Sequence, residues 1–459
     1  MMSRAVRNLV ATGLLFLATT AHGQTPPPPP PPPAPAQPEP RSTGLPKQVQ
    51  WTFNFDAGWG TFGFANSLYN SPREPGVPAD LSDQWFEGYV KPALSASFIT
   101  ASTSEIYGKL SVVGERTYGS VPAEFGEDVS SFGPEDMYIG WRSGQKREPG
   151  DLALDVTVGR AQYRLGRGFL LYDGSAEGGS RGGYWTNARK AFEFAAIGRL
   201  KFNEQHTIEG FYLDKDELRE SDSGTRLAGV NYELAVGEQS TFGATYMEVA
   251  ADALVRPERD GLNVFNLRAY TAPLPKAPDL SFEIEYARER NGQLVDSTAW
   301  AFQGAYELSG MTWTPTLTYR YASFQGDDPA TTANETFDPL LPGFYDWGQW
   351  WQGEIAGGYL LSNSNLKSHL FRADVSPSEA ISTGLLFFRF TLDQPASFSP
   401  GVTEKDLAFE VDWYMDWKLN RNFTTSFILA FTDPGKAVQQ AFNRTKNFVY
   451  GMAYLAYSF

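Results

Sequence analysis

The sequence predicts an all-β fold, a transmembrane antiparallel β-barrel of about 18 strands. Three observations carry this prediction. From residue 48 onward, apolar and polar residues alternate with period two, and no stretch shows helical periodicity. Long connections alternate with short ones along the chain. The last segment, Phe448–Phe459, alternates in the same way and ends on an aromatic residue, as expected of a strand that pairs with the first one and closes a barrel.

Residues 1–23 are expected to be a secretory signal. Two arginines precede a short apolar run at 9–20, and small residues follow up to a cleavage point between Gly23 and Gln24. The apolar run is shorter than the about 20 residues that a membrane-spanning helix needs. We therefore expect the chain to be exported and to reach the bacterial outer membrane, where barrels reside.

Residues 24–47 are rich in proline and are predicted to form a periplasmic linker. Proline cannot donate to a β-ladder, and runs of it adopt the stiff polyproline II conformation. A segment that binds a partner is the alternative interpretation. The barrel is then expected to occupy residues 48–459.

The composition excludes several classes of function. The formal net charge is −15, which argues against nucleic acid as a partner because phosphates require a basic surface. The chain has no cysteine and only three histidines, so we expect no metal centre and no cofactor. An acidic surface instead suits the outer membrane, where divalent cations bridge acidic side chains to the phosphates of lipopolysaccharide.

The first strand illustrates the alternation. Trp51, Phe53 and Phe55 fall on one face, and Thr52 and Asn54 fall on the other. Comparable alternation recurs around residues 105–112, 280–286, 313–321 and 407–417. In a membrane barrel the apolar face contacts lipid and the polar face contacts the lumen.

The lengths of the connections orient the barrel. The long connections are predicted near 60–83, 116–135, 162–188, 213–226, 249–261, 288–297, 322–364, 393–405 and 432–446. The short ones are predicted near 101–104, 143–150, 202–206, 235–240, 271–279, 309–311, 376–379 and 419–422. Short periplasmic turns and long extracellular loops are typical of outer-membrane barrels, and these connections join eighteen strands with both termini in the periplasm. A soluble β-sandwich or propeller is the alternative, but it explains neither the apolar faces nor the aromatic last residue.

The stretch Val158–Ser175 carries three arginines, Arg160, Arg164 and Arg167, among four glycines. Guanidinium groups pair with carboxylates in planar, bidentate geometry, so this stretch could present a cationic collar to an anionic solute. The alternative is an extracellular loop whose arginines pair with neighbouring acidic residues.

This stretch also resembles the alginate-export family of outer-membrane porins. The resemblance lies in a strand leading into Gly159 and Arg160, a turn rich in glycine and arginine, and two leucines before Asp173. The segments 357–396 and 406–435 are similar to the same family. The resemblance implies an eighteen-stranded barrel with an electropositive lumen that passes acidic sugars.

Basic residues that the alternation turns away from the apolar face are expected to line the pore, since a charge facing lipid at the membrane midplane costs about 2–4 kcal/mol. They are Lys109, Arg199, Arg268, Arg320, Arg372 and Arg389, to which we add Arg160, Arg164 and Arg167. For Arg160 the alternation of Leu154, Val156 and Val158 predicts the lipid face, unless Gly159 marks a bulge.

Acidic residues fall on the same inner face and are also expected to line the pore: Glu283, Glu285, Glu410, Asp412 and Asp416. Facing acidic and basic rows would create a transverse field across a constriction. The alternative is that these rows neutralise one another and stiffen the lumen, which leaves smaller sugars or sugar acids as the alternative cargo.

The connection 322–364 contains the candidate residues for a loop gate: Phe344, Tyr345, Trp347, Trp350 and Trp351. Aromatic faces stack on sugar rings, so this loop would form a gate if it folds into the lumen. The alternative is an exposed loop that packs on itself or on lipopolysaccharide.

The sequence therefore predicts a porin for acidic carbohydrate, either an alginate-like polysaccharide or its oligouronates. The alternatives are a general or neutral-sugar diffusion porin and a non-conducting adhesin or scaffold barrel. We do not expect an enzyme, because neither His206 nor His369 has a convincing serine and orienting partner. The expected partners are outer-membrane lipid and lipopolysaccharide, an anionic sugar or polysaccharide, and a periplasmic partner if the cargo is exported.

Overall fold

A computed structural model describes residues 49–68, 81–100, 104–121, 128–143, 152–175, 177–202, 205–237, 239–272, 277–343 and 352–459. The predicted signal (1–23) and linker (24–47) lie outside the described residues, so both stay predictions. Among the described residues, no helix is both long and apolar enough to cross a membrane.

Eighteen strands form the wall of the barrel. They are β1 (Gln50–Ala65), β2 (Ser82–Ile99), β3 (Glu105–Gly119), β4 (Ser130–Arg142), β5 (Ala153–Arg160), β6 (Phe194–Lys201), β7 (His206–Asp214), β8 (Arg226–Val236), β9 (Ser240–Ala250), β10 (Leu262–Thr271), β11 (Leu280–Asn291), β12 (Val295–Glu307), β13 (Thr316–Phe324), β14 (Leu366–Ser378), β15 (Ile381–Leu392), β16 (Asp406–Lys418), β17 (Phe423–Pro434) and β18 (Phe448–Ser458). The connections hold short helices, α1 (Gly178–Arg181), α2 (Pro395–Phe398) and α3 (Lys436–Phe442), and a π-helical turn at Ala356–Leu361.

Each strand pairs antiparallel with the next, and β1 also pairs with β18, so the sheet is closed. The closing register runs from Asp56 opposite Ser458 to Ala65 opposite Val449. Phe55 and Phe459 extend it by exchanging two backbone hydrogen bonds of 3.1 Å. Closure leaves no unpaired sheet edge, which is the condition for a sheet to cross a membrane. The predicted eighteen-stranded antiparallel barrel is confirmed.

The predicted long connection at 288–297 is wrong. β11 continues to Asn291 and β12 begins at Val295, so only residues 292–294 form a tight turn. The polar residues that suggested a loop instead continue the ladder, because the wall extends beyond the apolar band at this end of the barrel.

Burial distinguishes the two faces of the wall. On β13, Leu317 is exposed, whereas Arg320 and Ala322 are buried on the opposite face. Along most strands exposed apolar side chains alternate with buried ones in this way. We call the exposed face the outer face and the buried face, which is turned to the lumen, the inner face.

Strands β5 and β6 are unusually short. Each has 8 residues, whereas the adjacent β4 has 13. The last residue of β5, Arg160, pairs with Met137, and seven residues of β4 from Ser130 onward extend beyond it. The chain therefore leaves the wall part of the way up, and the described residues of the segment 161–193 lie inside the barrel before β6 begins.

Candidate functional site

Residues 161–193, which we call the constriction loop, pack inside the barrel through apolar side chains. Leu165, Phe169 and Leu171 are buried. The ring of Phe169 stacks on that of Phe324 from the inner face of β13, with centroids 5.7 Å apart. These contacts give the upper lumen an apolar core like that of a soluble domain.

Carboxylates on the inner face hold the backbone of the constriction loop. Glu87 on β2 accepts hydrogen bonds from the backbone N–H groups of Trp185 (3.0 Å) and Thr186 (2.9 Å). Glu115 on β3 accepts one from Ala188 at 2.7 Å, and Glu135 on β4 accepts one from Lys190 at 2.8 Å. An ionised acceptor makes such bonds stronger than a neutral one.

A fourth carboxylate, Glu410 on β16, holds the connection between β13 and β14 (residues 325–365). It accepts hydrogen bonds from the backbone N–H groups of Ile355 at 2.9 Å and Ala356 at 2.7 Å. We call Glu87, Glu115, Glu135 and Glu410 the wall carboxylates. All four are buried. Each of them accepts at least one hydrogen bond from loop backbone, and the loops cover all four, so these carboxylates are withdrawn from the open lumen.

The two loops also contact each other. Leu171 and Leu341 form a parallel β-bridge, and the Tyr172 N–H donates to the Leu341 carbonyl at 2.8 Å. The Trp185 indole N–H reaches a carboxylate oxygen of Glu354 at 3.4 Å. The loops therefore form one body inside the barrel.

Gly159 reverses the side of the wall that Arg160 faces. Its φ is +126°, in the region that favours glycine. Arg160 is consequently buried on the inner face, where it pairs with Asp216. Arg181 of the constriction loop pairs with the same carboxylate at 3.2 Å. The simple alternation along β5, which predicts the lipid face for Arg160, fails at this glycine.

Most of the other predicted basic residues lie on the inner face or in the constriction loop with an acidic partner. The ion pairs are Lys109–Asp136 at 2.8 Å, Arg167–Glu283 at 2.7 Å, Arg199–Glu209 at 2.5 Å, Arg268–Glu233 at 2.7 Å and Arg372–Asp374 at 2.6 Å. Arg320 is buried on the inner face of β13, and Arg164 is exposed in the constriction loop. Alternation alone predicts which face of the wall a residue occupies. It does not predict the acidic residue with which each base pairs.

Within several of these pairs the base is accessible and the acid is not. The side chain of Arg199 is 50% exposed and that of Glu209 is 4% exposed. Arg167 and Glu283 show the same asymmetry, at 45% and 9%, as do Lys109 and Asp136, at 26% and 3%. Arg268 and Glu233 reverse it, at 0% and 34%. Hence at three of these four pairs the group that a solute meets is the cation.

Arg389 is not on the inner face, contrary to the sequence interpretation. It shares the exposed outer face of β15 with Leu385 and Phe387, while Phe388 and Phe390 are buried on the inner face. Its guanidinium pairs with Asp406 at 2.6 Å. The prediction failed because β15 is apolar on both faces: its inner face packs against the loops in the lumen.

The predicted acidic residues lie on the inner face, and most are held by neighbours rather than left open. Glu285 accepts hydrogen bonds from the Asn266 amide and the Tyr270 hydroxyl, both at 2.9 Å. Asp412 accepts a 3.4 Å bond from the Glu354 N–H, and Asp416 accepts one of 2.6 Å from the Ser426 hydroxyl. The remaining two, Glu283 and Glu410, have the partners given above.

At the loop end of the barrel, Arg259 and Asp338 join two loops. Two parallel hydrogen bonds of 2.7 Å link the guanidinium to the carboxylate. Burial disfavours the charged form of Asp338, but the hydrogen bonds and charge of Arg259 prevail and hold its pKa below the usual value. The pair lines a pocket of about 360 Å³ that also includes Arg256 and Asn334.

The candidate gate residues Phe344, Tyr345, Trp347, Trp350 and Trp351 lie outside the described residues. The described flanks of that connection, 325–343 and 352–365, contact the inner face through the bonds given above. Sequence reasoning missed the inward course of the constriction loop and three of its wall carboxylates. The inner-face position of Glu87 could have been predicted, because the exposed Phe86 and Val90 lie on the opposite face of the same strand. Glu135 could not, because it fell in a predicted loop.

Both histidines outside the predicted signal make hydrogen bonds to tyrosine hydroxyls on the wall. His206 Nδ1 lies 2.7 Å from the Tyr232 hydroxyl, and His369 Nδ1 lies 2.9 Å from the Tyr319 hydroxyl. The ring of His369 is on the outer face of β14, away from the lumen.

Comparisons with known proteins agree with this geometry. The model of a family described as alginate export matches residues 128–452. Solved structures with the same fold include three outer-membrane porins of Pseudomonas aeruginosa. OpdQ is 11% identical with a TM-score of 0.55, covering 90% of this chain and 97% of its own. OccK7 (OpdD) is 12% identical with a TM-score of 0.53, covering 89% and 99%. OpdL is 10% identical with a TM-score of 0.52, covering 89% and 98%. No curated protein matches the sequence significantly.

Proposed function

The chain belongs to the alginate export family and is a porin of the bacterial outer membrane, and from this premise we propose that it passes acidic carbohydrate. One observation carries the proposal. In the pairs Arg199–Glu209, Arg167–Glu283 and Lys109–Asp136 the base is accessible and the acid is buried. The wall carboxylates are likewise covered by loop backbone. A chain with a net charge of −15 thus offers cations to a solute in its lumen.

The cargo we favour is a short oligouronate. Each residue of such a chain carries a carboxylate that an arginine binds in bidentate geometry, and Arg167 and Arg199 offer exposed guanidinium groups. The constriction loop and the described parts of residues 325–365 pack inside the barrel, so a long polymer would require these loops to move. Export of such a polymer would also require a periplasmic partner.

The experiment is single-channel conductance in planar bilayers, with a salt gradient to measure ion selectivity and added oligouronates to measure block. We expect anion preference and oligouronate block in the unchanged protein. Both should weaken in Arg199→Gln and Arg167→Gln. Arg389→Gln is the matched control: it removes the same charge from the outer face and should leave selectivity and block unchanged.

A general diffusion porin is the second candidate, favoured by the reversed exposure at Arg268–Glu233 and the near-equal exposure of Arg372 and Asp374, at 18% and 17%. A conducting pore without anion preference or block would establish it. A barrel that inserts but does not conduct would indicate an adhesin or scaffold.

A further inference from the structure

Basic side chains on the outer face of the barrel occur only at one end of it among the described strand residues. They are Arg116, Arg226, Arg288, Arg290, Lys367 and Arg389. Each lies within the last four residues of its strand at the end that carries the long loops. The other outer-face positions of these strands, toward the short turns, hold apolar and uncharged side chains.

This sidedness has a physical cause. A cation on the lipid face is costly at the membrane midplane, and this cost falls close to zero at the interface. The interface at the end with the long loops faces the outer leaflet, whose glycolipids carry phosphate groups. A basic side chain there meets anionic headgroups as soon as it clears the hydrocarbon band.

Arg288 and Arg290 stand out because two bases share one acid. One nitrogen of Arg288 lies 3.0 Å from both carboxylate oxygens of Asp296, and Arg290 lies 3.7 Å from the same group. By contrast, Lys367 pairs with Asp393 and Arg389 pairs with Asp406, one base to one acid. The two-arginine cluster thus keeps an excess positive charge.

The cluster is open to a ligand. The side chains of Arg288 and Arg290 are 44% and 61% exposed. Glu258 and Asp260 lie in the adjoining loop, where their backbone carbonyls accept hydrogen bonds from Asn291. Neither forms an ion pair with Arg288 or Arg290 among the described residues. On the outer face, Glu248 lies across Asn263 in the neighbouring strands. Among the described residues it forms no ion pair with either arginine. Donor groups of both guanidiniums therefore remain available.

An apolar surface lies directly below the cluster. Phe265 is the cross-strand neighbour of Arg288, and Leu267, Ile284 and Trp300 continue the exposed face toward the middle of the barrel. A charged headgroup at the arginines would place its acyl chains along this surface. An inorganic anion would use the arginines alone.

We propose that Arg288 and Arg290 bind a phosphate group of an outer-leaflet glycolipid such as lipopolysaccharide. The guanidinium groups match the phosphate oxygens in bidentate geometry, and Asp296 orients Arg288 for the contact. This site lies on the outside of the barrel and does not depend on the cargo that passes through the lumen.

The test measures the thermal unfolding midpoint of the full chain in detergent micelles during titration with bisphosphorylated lipid A. The lipid should raise the midpoint of the unchanged protein and of Arg389→Gln. In the double variant R288Q/R290Q we expect apparent binding to weaken by about tenfold or more, because the charged hydrogen bonds from both guanidinium groups to the phosphate are lost.

Two further arms separate the alternatives. Dephosphorylated lipid A should act weakly on every variant; an equal effect would overturn the role of phosphate. Inorganic phosphate should not reproduce the shift; if it does, the site is an anion site and not a lipid site. If R288Q/R290Q does not fold, R288K/R290K takes its place: it keeps both charges but loses the bidentate geometry, so its response to the lipid should be weaker than that of the unchanged protein, and an equal response would overturn the bidentate contact. An unchanged response of R288Q/R290Q would also overturn the proposal.

Discussion

Gly159 adopts a φ of +126° at the point where β5 leaves the wall. A side chain there would meet the backbone of the paired strand, with its Cβ 2.8 Å from the Tyr138 Cα. The glycine lets Arg160 turn inward to Asp216, and that ion pair marks the start of the constriction loop. One residue without a side chain thus redirects a segment of 33 residues between β5 and β6.

We expect Gly159→Ala to destabilise the barrel by about 1–3 kcal/mol, because alanine strains the left-handed backbone and its Cβ has no room. Thermal unfolding in micelles measures the effect. Gly198→Ala on the adjacent β6 is the matched control, since no atom lies within 4 Å of its added Cβ. Equal stabilities of the two variants would contradict the role given to Gly159.

The negative charge of Asp338 stabilises the loops at the outer end of the barrel through its pair with Arg259. Its pKa lies below the ordinary value of 3.8, so the Arg259–Asp338 pair stabilises the loops fully above that value. This contribution is lost as the pH falls through the lower pKa of the folded state. We expect the connection between β13 and β14 to loosen only under strongly acidic conditions.

The substitution Asp338→Asn should produce the loosened state at neutral pH. Limited proteolysis of the outer loops from pH 7 downward measures it: the unchanged protein should become sensitive only below pH 3.8, and the variant should be sensitive throughout. Asp260→Asn, at an exposed position in the Arg259 loop, serves as the control. A resistant variant at pH 7 would show that other contacts hold this loop.

Among the elements, the constriction loop depends on the wall carboxylates. The backbone N–H groups of Trp185, Thr186, Ala188 and Lys190 have no ladder partner in the lumen, and buried donors left unsatisfied are costly. The carboxylates supply the acceptors. Because the carboxylates stand on strands of the wall, they fix the course of the loop inside the barrel.

We expect the double variant E87Q/E135Q to conduct more than the unchanged protein. At position 87 both carboxylate oxygens accept from loop N–H groups, so a glutamine turns one acceptor into a donor facing a donor, which costs about 1–3 kcal/mol. At position 135 a glutamine removes the negative charge that the Lys190 and Ala191 N–H groups face. Both changes should free the loop. Single-channel conductance is the measurement. Glu248→Gln removes an equal charge from the exposed outer face and should not change it. A conductance equal to that of the unchanged protein would show that the constriction loop does not limit the flow of ions.

At the scale of the whole molecule, closure of the sheet is the dominant constraint. β18 pairs with both β17 and β1, and without it the wall has two open edges. Such edges leave backbone groups unsatisfied in the hydrocarbon region. The apolar outer face cannot remain in lipid unless the ring is complete.

A chain lacking residues 448–459 should therefore not form a heat-modifiable barrel when folded in detergent or lipid vesicles. Gel migration before and after heating measures this outcome. Removal of Phe459 alone is the control: it loses the two backbone bonds to Phe55 but keeps the ladder of β18, so that chain should still fold. A folded barrel from the longer truncation would mean that β1 can close directly on β17.

The period-two pattern by itself determined the barrel. Alternation and connection length give eighteen strands and closure, because each strand must present an apolar face to lipid and a closed sheet satisfies every backbone group. The same pattern placed Lys109, Arg199, Arg268, Arg320 and Arg372 on the inner face. The face that a residue occupies is a property of its own strand, so it can be predicted from the sequence of that strand alone.

Only the tertiary structure decided what fills the lumen. Bonds from loop backbone to Glu87, Glu115, Glu135 and Glu410 join residues far apart in sequence and follow no period. The loops they hold give the inner face of β15 an apolar environment, so an apolar face no longer identifies the lipid side and Arg389 was misplaced. Periodicity reports which residues share a face, whereas the contents of the barrel decide which environment that face meets.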